Sequence, residues 1–259
     1  RGETTFELPI LYYRDDCFAA FHTGDAAAVR AQLPSDKLYP VLLPGGRALV
    51  GIVAFNYVDT TIGPYGEVGI VVPCVHGRKP VPMLPGMMEA RYPGFGHVVL
   101  HLPVTKTEAR DAGRGEWGYT KFVADMHFEN TPEHFQVRLS DGERHILVMR
   151  VRKQGLIMKD TKPLVTYSVR DGDLIRTTIP QVGVARNAIR PRGCFLDLGD
   201  HPVAESLRAL DVSPRPFMTR YYLERSGILP SGEVWERGVR PLDGYRGEDR
   251  VGELAVEYR

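Results

Sequence analysis

Residues 48–55 have the sequence ALVGIVAF, and residues 68–72 have the sequence VGIVV. Both runs are apolar and rich in β-branched side chains, which pack well in strands. Two Asp-Gly dipeptides, Asp141-Gly142 and Asp171-Gly172, each separate strand-like segments and favour tight hairpins. Many short strands without intervening helices are typical of a barrel or a sandwich. We therefore predict a mostly β fold, built as a closed or nearly closed antiparallel barrel.

Two helices are expected at the edges of these strands. Alanines dominate residues 26–31, Thr23 or Asp25 can cap their start, and Pro34 follows their end. A second helix is expected at about 201–210, because a proline there suits the first turn of a helix.

The charge and composition exclude several kinds of partner. The 259 residues include 33 basic and 32 acidic side chains, which leave a formal net charge of +1. Such a balance gives no sustained positive field for nucleic acid or for an anionic membrane. No stretch approaches the roughly 20 apolar residues of a membrane helix. We expect a soluble, single-domain protein over 1–259, in which 240–259 is a C-terminal extension that packs on the surface or on a neighbouring subunit.

The cysteines and histidines indicate no metal or other cofactor. Cys17, Cys74 and Cys194 are far apart and odd in number, which is typical of reduced thiols in a cytoplasmic protein. His97 and His101 are four residues apart, but a strand would hold their rings about 13 Å apart. We therefore expect neither a metal site nor a bound cofactor.

A lysine preceded by aromatic residues is the strongest chemical feature. In a regular strand, Trp117, Tyr119, Lys121 and Val123 would share one face. Burial disfavours an ammonium ion, so it would lower the pKa of Lys121 and leave the free amine that attacks a carbonyl. The alternative is an ordinary lysine whose charged end reaches water.

This segment resembles the acetoacetate decarboxylase family. Gly113-Arg114 and the run 117–121 align with the family's signature around its Schiff-base lysine. The stretches 13–34, 56–77 and 199–202 resemble other parts of the family in the same order. The resemblance implies a barrel of the acetoacetate decarboxylase-like type, a homo-oligomer, and a small keto acid as the substrate.

The resemblance also implies roles for individual residues. Lys121 is the expected nucleophile, and Glu67 is the expected acid/base or the group that orients the lysine. The alternative for Glu67 is a solvated charge at the start of a strand. The predicted substrate-binding residues are Tyr65, Trp117, Tyr119, Glu116 and Arg114.

The sequence departs from the family pattern at four places. Phe122 stands where the decarboxylases carry a second lysine, and Thr120 stands where they carry a proline. Gly115 replaces the motif glutamate, and Glu116 either substitutes for it or faces outward. Glu7 or Leu8 falls where the decarboxylases carry an arginine for the substrate carboxylate.

These departures leave the reaction open. The lysine iminium is expected to support either decarboxylation or aldol and dehydration chemistry on a keto acid. The competing hypothesis is a non-catalytic barrel that binds a small apolar or carbonyl ligand.

Overall fold

The computed structural model describes residues 6–247 and the two-residue strand at 257–258. The strands, in chain order, are β1 (Ile10–Gly24), β2 (Leu38–Pro40), β3 (Ala48–Thr60), β4 (Tyr65–His76), β5 (Phe95–His101), β6 (Asp125–Asn130), β7 (His134–Asp141), β8 (Arg144–Arg152), β9 (Leu156–Asp160), β10 (Leu164–Arg170), β11 (Asp173–Ile179), β12 (Gln181–Ile189), β13 (Phe195–Leu198), β14 (Met218–Leu229), β15 (Glu233–Arg237) and β16 (Glu257–Tyr258). The α-helices are α1 (Ala26–Ala31), α2 (Leu84–Met87), α3 (Thr107–Ala112) and α4 (Pro202–Ala209). The fold is therefore mostly β with few helices, as predicted.

The larger sheet has the strand order β15-β11-β10-β5-β4-β3-β1-β14-β12-β9, and β2 pairs with β4. It is mixed, because β5 and β10 run parallel whereas its other pairs are antiparallel. In the ladder, Cys17 lies opposite Phe55, and Phe55 lies opposite Glu67. Successive side chains of a strand point to opposite faces. These three side chains therefore share one face, and their neighbours in sequence share the other.

The main core lies between this sheet and a smaller one of order β13-β8-β7-β6-β16. Phe18, Ile52 and Ile70 from the larger sheet join Val137 and Leu147 from the smaller one in a single apolar cluster. A second apolar cluster covers the opposite face of the larger sheet. Both faces of β3 and β4 are therefore buried, which explains why their sequences are continuously apolar and not alternating.

The local predictions of helices and hairpins are confirmed. Asp25 caps α1, since its Oδ1 accepts a hydrogen bond from Ala28 N at 2.8 Å. Helix α4 begins at Pro202, as expected. Strands β7 and β8 form one predicted hairpin, and β10 and β11 form the other. In the second hairpin, Asp171 and Gly172 both have positive φ, the backbone conformation that an Asp-Gly turn favours.

The predicted closed or nearly closed antiparallel barrel is wrong. Within the described part of the chain the larger sheet is open, since its outer strands β15 and β9 each pair on one side only. The chain crosses from β11 to β12 through Pro180, whose carbonyl accepts a hydrogen bond from Ile228 N at 2.9 Å. Proline has no N–H to donate to a ladder. The chain therefore connects β11, near one edge of the sheet, to β12, near the other edge. This connection does not close the sheet, because no continuous ladder of hydrogen bonds among the described residues joins the two edges.

The C-terminal segment packs on the same chain as far as the structure describes it. Leu242 is buried in the main core, and the Tyr245 hydroxyl donates a hydrogen bond to Asp141 Oδ2 at 2.8 Å. Residues 248–256 and 259 of the predicted 240–259 extension lie outside the described residues. None of the described helices is long and apolar enough to cross a membrane.

Candidate active site

Lys121 follows a change of backbone conformation. Helix α3 continues into a π-helical turn at Gly113–Trp117, which ends where Gly118 adopts a left-handed φ of 70°. The chain then runs beside residues 102–104, and Val104 N donates to Phe122 O at 2.9 Å. Lys121 therefore lies in an irregular extended segment, where the sequence suggested a regular strand.

Gly113 makes room for the lysine side chain. A Cβ atom at Gly113 would lie 2.4 Å from Lys121 Cδ and 2.6 Å from Lys121 Cε. A side chain at this position would therefore overlap with the lysine. By contrast, a Cβ atom at Gly115 would meet no atom within 4 Å.

The predicted nucleophile and its predicted partner are in contact. Lys121 Nζ donates a hydrogen bond to Glu67 Oε2 at 2.6 Å. The two side chains are only 6% and 9% exposed, respectively. Glu67 is therefore not a solvated charge at a strand end, and the lysine amine does not reach bulk water. The short contact gives a proton a direct path between nitrogen and oxygen.

Tyrosines surround this pair and supply neutral hydroxyl groups. The Tyr57 hydroxyl donates to Glu67 Oε1 at 3.3 Å, and the Tyr12 and Tyr65 hydroxyls are 3.0 Å apart. The Tyr119 hydroxyl lies 2.7 Å from Thr166 Oγ1. Burial raises the pKa of Tyr119 to about 12 and raises the pKa values of the other three as well. These groups therefore stay protonated and can orient a carbonyl oxygen by hydrogen bonding.

Lys121 and Glu67 open into a cavity of about 150 Å³. It lies against the face of the larger sheet that carries Glu67, opposite the main core. Its wall is mostly apolar and aromatic, and includes Phe21, Val53, Phe55, Val71, Val99 and Leu102. A buried apolar cavity with a few convergent polar groups is the usual form of a small-molecule site.

The remaining predicted site residues differ in position. Tyr119 lines the cavity, whereas Tyr65 does not; the centre of the Tyr65 ring lies 5.9 Å from Lys121 Nζ. Trp117 is buried, and its Nε1 donates to Pro230 O at 2.9 Å.

Arg114 Nε donates to Lys121 O at 2.7 Å, so this arginine contacts the lysine backbone. Glu116 lies near Arg170, with 3.9 Å between Oε2 and Nη1. Trp117, Arg114 and Glu116 do not line the cavity, so their contact with substrate stays a prediction.

The four departures from the family pattern have distinct positions. Gly115 lies in the π-helical turn. The Phe122 ring faces the main core and stacks against His201, with 6.2 Å between ring centres. Thr120 is buried, and its hydroxyl donates to Leu100 O at 2.7 Å. Glu7 and Leu8 are exposed and line no part of the cavity.

Sequence reasoning missed two arginines of the cavity wall. Arg220 and Arg225 both lie on β14 and line the cavity. Arg225 forms a buried ion pair with Asp15, and Arg220 forms a partly exposed ion pair with Asp160 at 2.8 Å. The available signal was two arginines, five residues apart, in a stretch otherwise rich in tyrosine.

The fold and the sequence together define the class of this protein. The profile of the acetoacetate decarboxylase (ADC) family matches residues 2–234, so the chain belongs to that family. The crystal structure of acetoacetate decarboxylase from Legionella pneumophila is similar, with a TM-score of 0.67 and 18% identity over 91% of this chain and 93% of that one.

Two other enzymes share the fold. The enduracididine biosynthesis enzyme MppR, complexed with the condensation product of pyruvate and imidazole 4-carboxaldehyde, gives a TM-score of 0.64 at 13% identity over 90% of this chain and 91% of that one. An acetoacetate decarboxylase-like enzyme from Sphingomonas wittichii gives 0.60 at 12% identity over 90% and 95%. No curated protein matches the sequence.

Proposed function

We propose that this protein is a Schiff-base-forming lyase that acts on a small keto acid, with Lys121 as the nucleophile and Glu67 as its proton-transfer partner. The observation that carries the proposal is the 2.6 Å contact between Lys121 Nζ and Glu67 Oε2 at the wall of a buried cavity. A buried lysine beside a proton acceptor is the usual arrangement for amine attack on a carbonyl.

The first half of the reaction forms an iminium ion. Glu67 accepts a proton from the Lys121 ammonium, and the free amine attacks the ketone carbon of the substrate. The attacking nitrogen passes one proton to the ketone oxygen to give the carbinolamine. Glu67 then returns the proton that it accepted, the oxygen leaves as water, and the nitrogen lone pair forms the carbon–nitrogen double bond. The neutral tyrosine hydroxyls near the pair can hold the oxygen during these steps.

The second half depends on the substrate. In a 3-keto acid, the bond to the carboxylate carbon breaks, carbon dioxide leaves, and the electron pair moves to the iminium nitrogen to give an enamine. In a pyruvate-like acid, loss of a proton from the methyl group gives the enamine, which can add to an aldehyde and then lose water. After decarboxylation the enamine carbon takes up a proton to restore an iminium. Hydrolysis of the iminium then releases the product and the free lysine in either case.

Family membership supports the general chemistry. The MppR complexes with pyruvate and with a condensation product of pyruvate support a keto acid as the ligand class. The homo-oligomer implied by the resemblance and the cytoplasmic location expected from the cysteines remain predictions.

Activity assays can test the proposal and distinguish its two branches. Carbon dioxide release from acetoacetate would be measured against an enzyme-free blank, and condensation of pyruvate with an aldehyde would be followed by mass spectrometry. The Lys121→Ala variant should lose whichever activity is present, whereas the exposed Lys79→Ala control should keep it. Equal turnover in Lys121→Ala and wild type would rule out the lysine as nucleophile.

A further inference from the structure

The cavity is ordered along the direction of its strands. Phe55 lies level with Cys17 and Glu67 in the ladder, and Tyr57 lies level with Asp15. Two residues along a strand correspond to about 7 Å. Measured along the strand direction, the Asp15 side chain therefore lies about 7 Å from the Lys121–Glu67 pair. The opposite end of the cavity carries the apolar side chains of Val71 and Val99, and Arg220 lies level with Val53 through Ala19.

Arg225 occupies the polar end at the level of Asp15. Its Nη1 group donates to Asp15 Oδ2, and its Nε donates to Gln181 Oε1 at 2.9 Å. Its Cζ atom lies 5.0 Å from the centre of the Phe55 ring. Three sides of the guanidinium group are thereby fixed, and the side chain is 4% exposed. Its Nη2 group donates no hydrogen bond within the described residues.

Arg225 also borders a groove on the protein surface. The groove is lined by Tyr13, Lys159, Val182, Gly183, Glu224, Ser226 and Arg225 itself. Arg225 is therefore part of the lining of both the groove and the cavity that contains Lys121.

We propose that Arg225 binds the carboxylate of the substrate through Nη2, with Asp15 and Gln181 as positioning residues that orient its guanidinium group. The inference rests on the proposed function, because it assigns the acid group of the keto acid whose ketone reacts with Lys121. It also provides the carboxylate-binding group that Glu7 and Leu8 do not supply.

The spacing agrees with a short keto acid. A charge-assisted hydrogen bond from arginine to a carboxylate is about 2.8 Å long. A keto acid has one or two carbon–carbon bonds between its carboxylate and its ketone, and the ketone carbon forms one further bond to Nζ. Together with the hydrogen bond, these bonds span roughly the 7 Å between the two levels. Asp15 already balances the charge of Arg225. Recognition therefore depends on the directed N–H donor rather than on a net positive field.

This placement also defines the class of the substrate. With the acid at Arg225 and the ketone at Lys121, the remaining carbon chain extends toward Val53, Val71, Val99 and Leu102. We therefore infer a keto acid with an apolar substituent.

Two probes of similar shape isolate the carboxylate. Pyruvate and pyruvamide carry the same ketone, but only pyruvate carries the acid. The rate of borohydride-trapped adduct formation on Lys121 would be measured with each probe, and the ratio of rates would be compared between variants. The Asp15→Asn, Arg225→Gln double variant removes both charges, so neither buried charge is left unpaired, and circular dichroism would confirm its fold. We expect the pyruvate-to-pyruvamide ratio to fall by about 10- to 100-fold.

A matched control and a second ligand make the result decisive. Arg220→Gln removes the other cavity arginine and should change the ratio less than about threefold, since charge alone acts weakly without a direct hydrogen bond. Oxamate, which has the carboxylate but no reactive ketone, should bind wild type and Lys121→Ala, and should bind the double variant at least about 10-fold more weakly.

The outcomes separate this inference from the proposed function. Adducts on Lys121 with an unchanged ratio in the double variant would overturn the role of Arg225 and leave the Schiff base standing. An absence of any Lys121 adduct with either probe in wild type would overturn the proposed function, and the substrate role of Arg225 with it.

Discussion

Lys121 Nζ and Glu67 Oε2 are 2.6 Å apart, although 54 residues separate them in the sequence. Both side chains are buried, at 6% and 9% exposure, in a cavity whose other walls are mostly apolar. A buried ion pair adds little stability compared with apolar residues of similar volume. Under the proposed function, the reason for its place at the cavity wall is the chemistry of Lys121 and not a contribution to stability.

Replacing the carboxylate should slow the chemistry strongly. Glu67→Gln keeps the size of the side chain but removes the proton acceptor for Lys121, and we expect kcat to fall by about 100- to 10,000-fold. Tyr57→Phe is the matched control, because it removes only the hydroxyl that donates to Glu67 Oε1. We expect that variant to lose about 10-fold or less, a typical effect of one neutral hydrogen bond. Equal losses in steady-state kinetics would contradict a proton-transfer role for Glu67.

The glycine beside the lysine gives a sharper steric test. Gly113→Ala places a Cβ atom 2.4 Å from Lys121 Cδ, so the lysine side chain must move. A displacement of about 1 Å at a reacting group can lower the rate about 100-fold. Gly115→Ala is the control, because its new methyl group meets no atom within 4 Å. If both alanine variants trapped a keto acid at the wild-type rate, the lysine would have a different position or role.

The apolar end of the cavity predicts a preference for longer substrates. Each buried methylene contributes about 0.8 kcal/mol, so 2-oxohexanoate, with three more than pyruvate, should bind about 50-fold more tightly. Val71→Phe fills this end and should abolish most of the difference while leaving pyruvate binding nearly unchanged. Val81→Phe, at a site that is 55% exposed, is the control. Competition between the two acids in the trapping reaction measures the preference, and a preference for pyruvate in wild type would contradict the assigned orientation.

The stability of the protein should fall as the pH falls from about 6.5 toward 4. Burial lowers the pKa of His22 from 6.5 to about 4, only partly offset by its hydrogen bond to Ser213 O, and the residue is 0% exposed. The unfolded chain therefore binds a proton in this range that the folded chain does not. Stability is full above the unfolded pKa and is lost on acidification.

Denaturation by urea at pH 7.5 and pH 5 measures this effect. His22 alone should account for about 2 kcal/mol of the loss at pH 5. Burial also lowers the pKa values of His97 and His101 to about 4, so their contributions add to it. The His22→Phe variant should lose less stability between the two pH values than wild type does. An identical loss would show that His22 does not titrate as described.

The sequence predicted the features that depend on short stretches of chain. Asp25 capped its helix, and the Asp-Gly turns formed their hairpins, because turns and caps are set by neighbouring residues. Lys121 could be proposed from its aromatic neighbours, and Glu67 from the resemblance to the acetoacetate decarboxylase family. Their contact could not be derived from spacing, since it depends on how β4 packs against the segment after the π-helical turn.

The features that were mispredicted or missed depend on long-range arrangement. Whether a sheet closes is decided by pairing between its outermost strands, and alternation along one strand carries no information about it. We expected Trp117, Tyr119 and Lys121 to share one face of a strand. This prediction is wrong because Trp117 belongs to a π-helical turn and not to a strand. Arg225 was missed because its partner Asp15 lies 210 residues away in sequence.

Reductive trapping tests the central proposal most directly. The protein would be incubated separately with pyruvate and with acetoacetate, then treated with borohydride, and the modified peptide would be identified by mass spectrometry. We predict a stable adduct on Lys121 with at least one of the two acids, and none in the Lys121→Ala variant. Labelling that is absent, or scattered over exposed lysines such as Lys79, would contradict the Schiff base and favour a protein that binds its ligand without turnover.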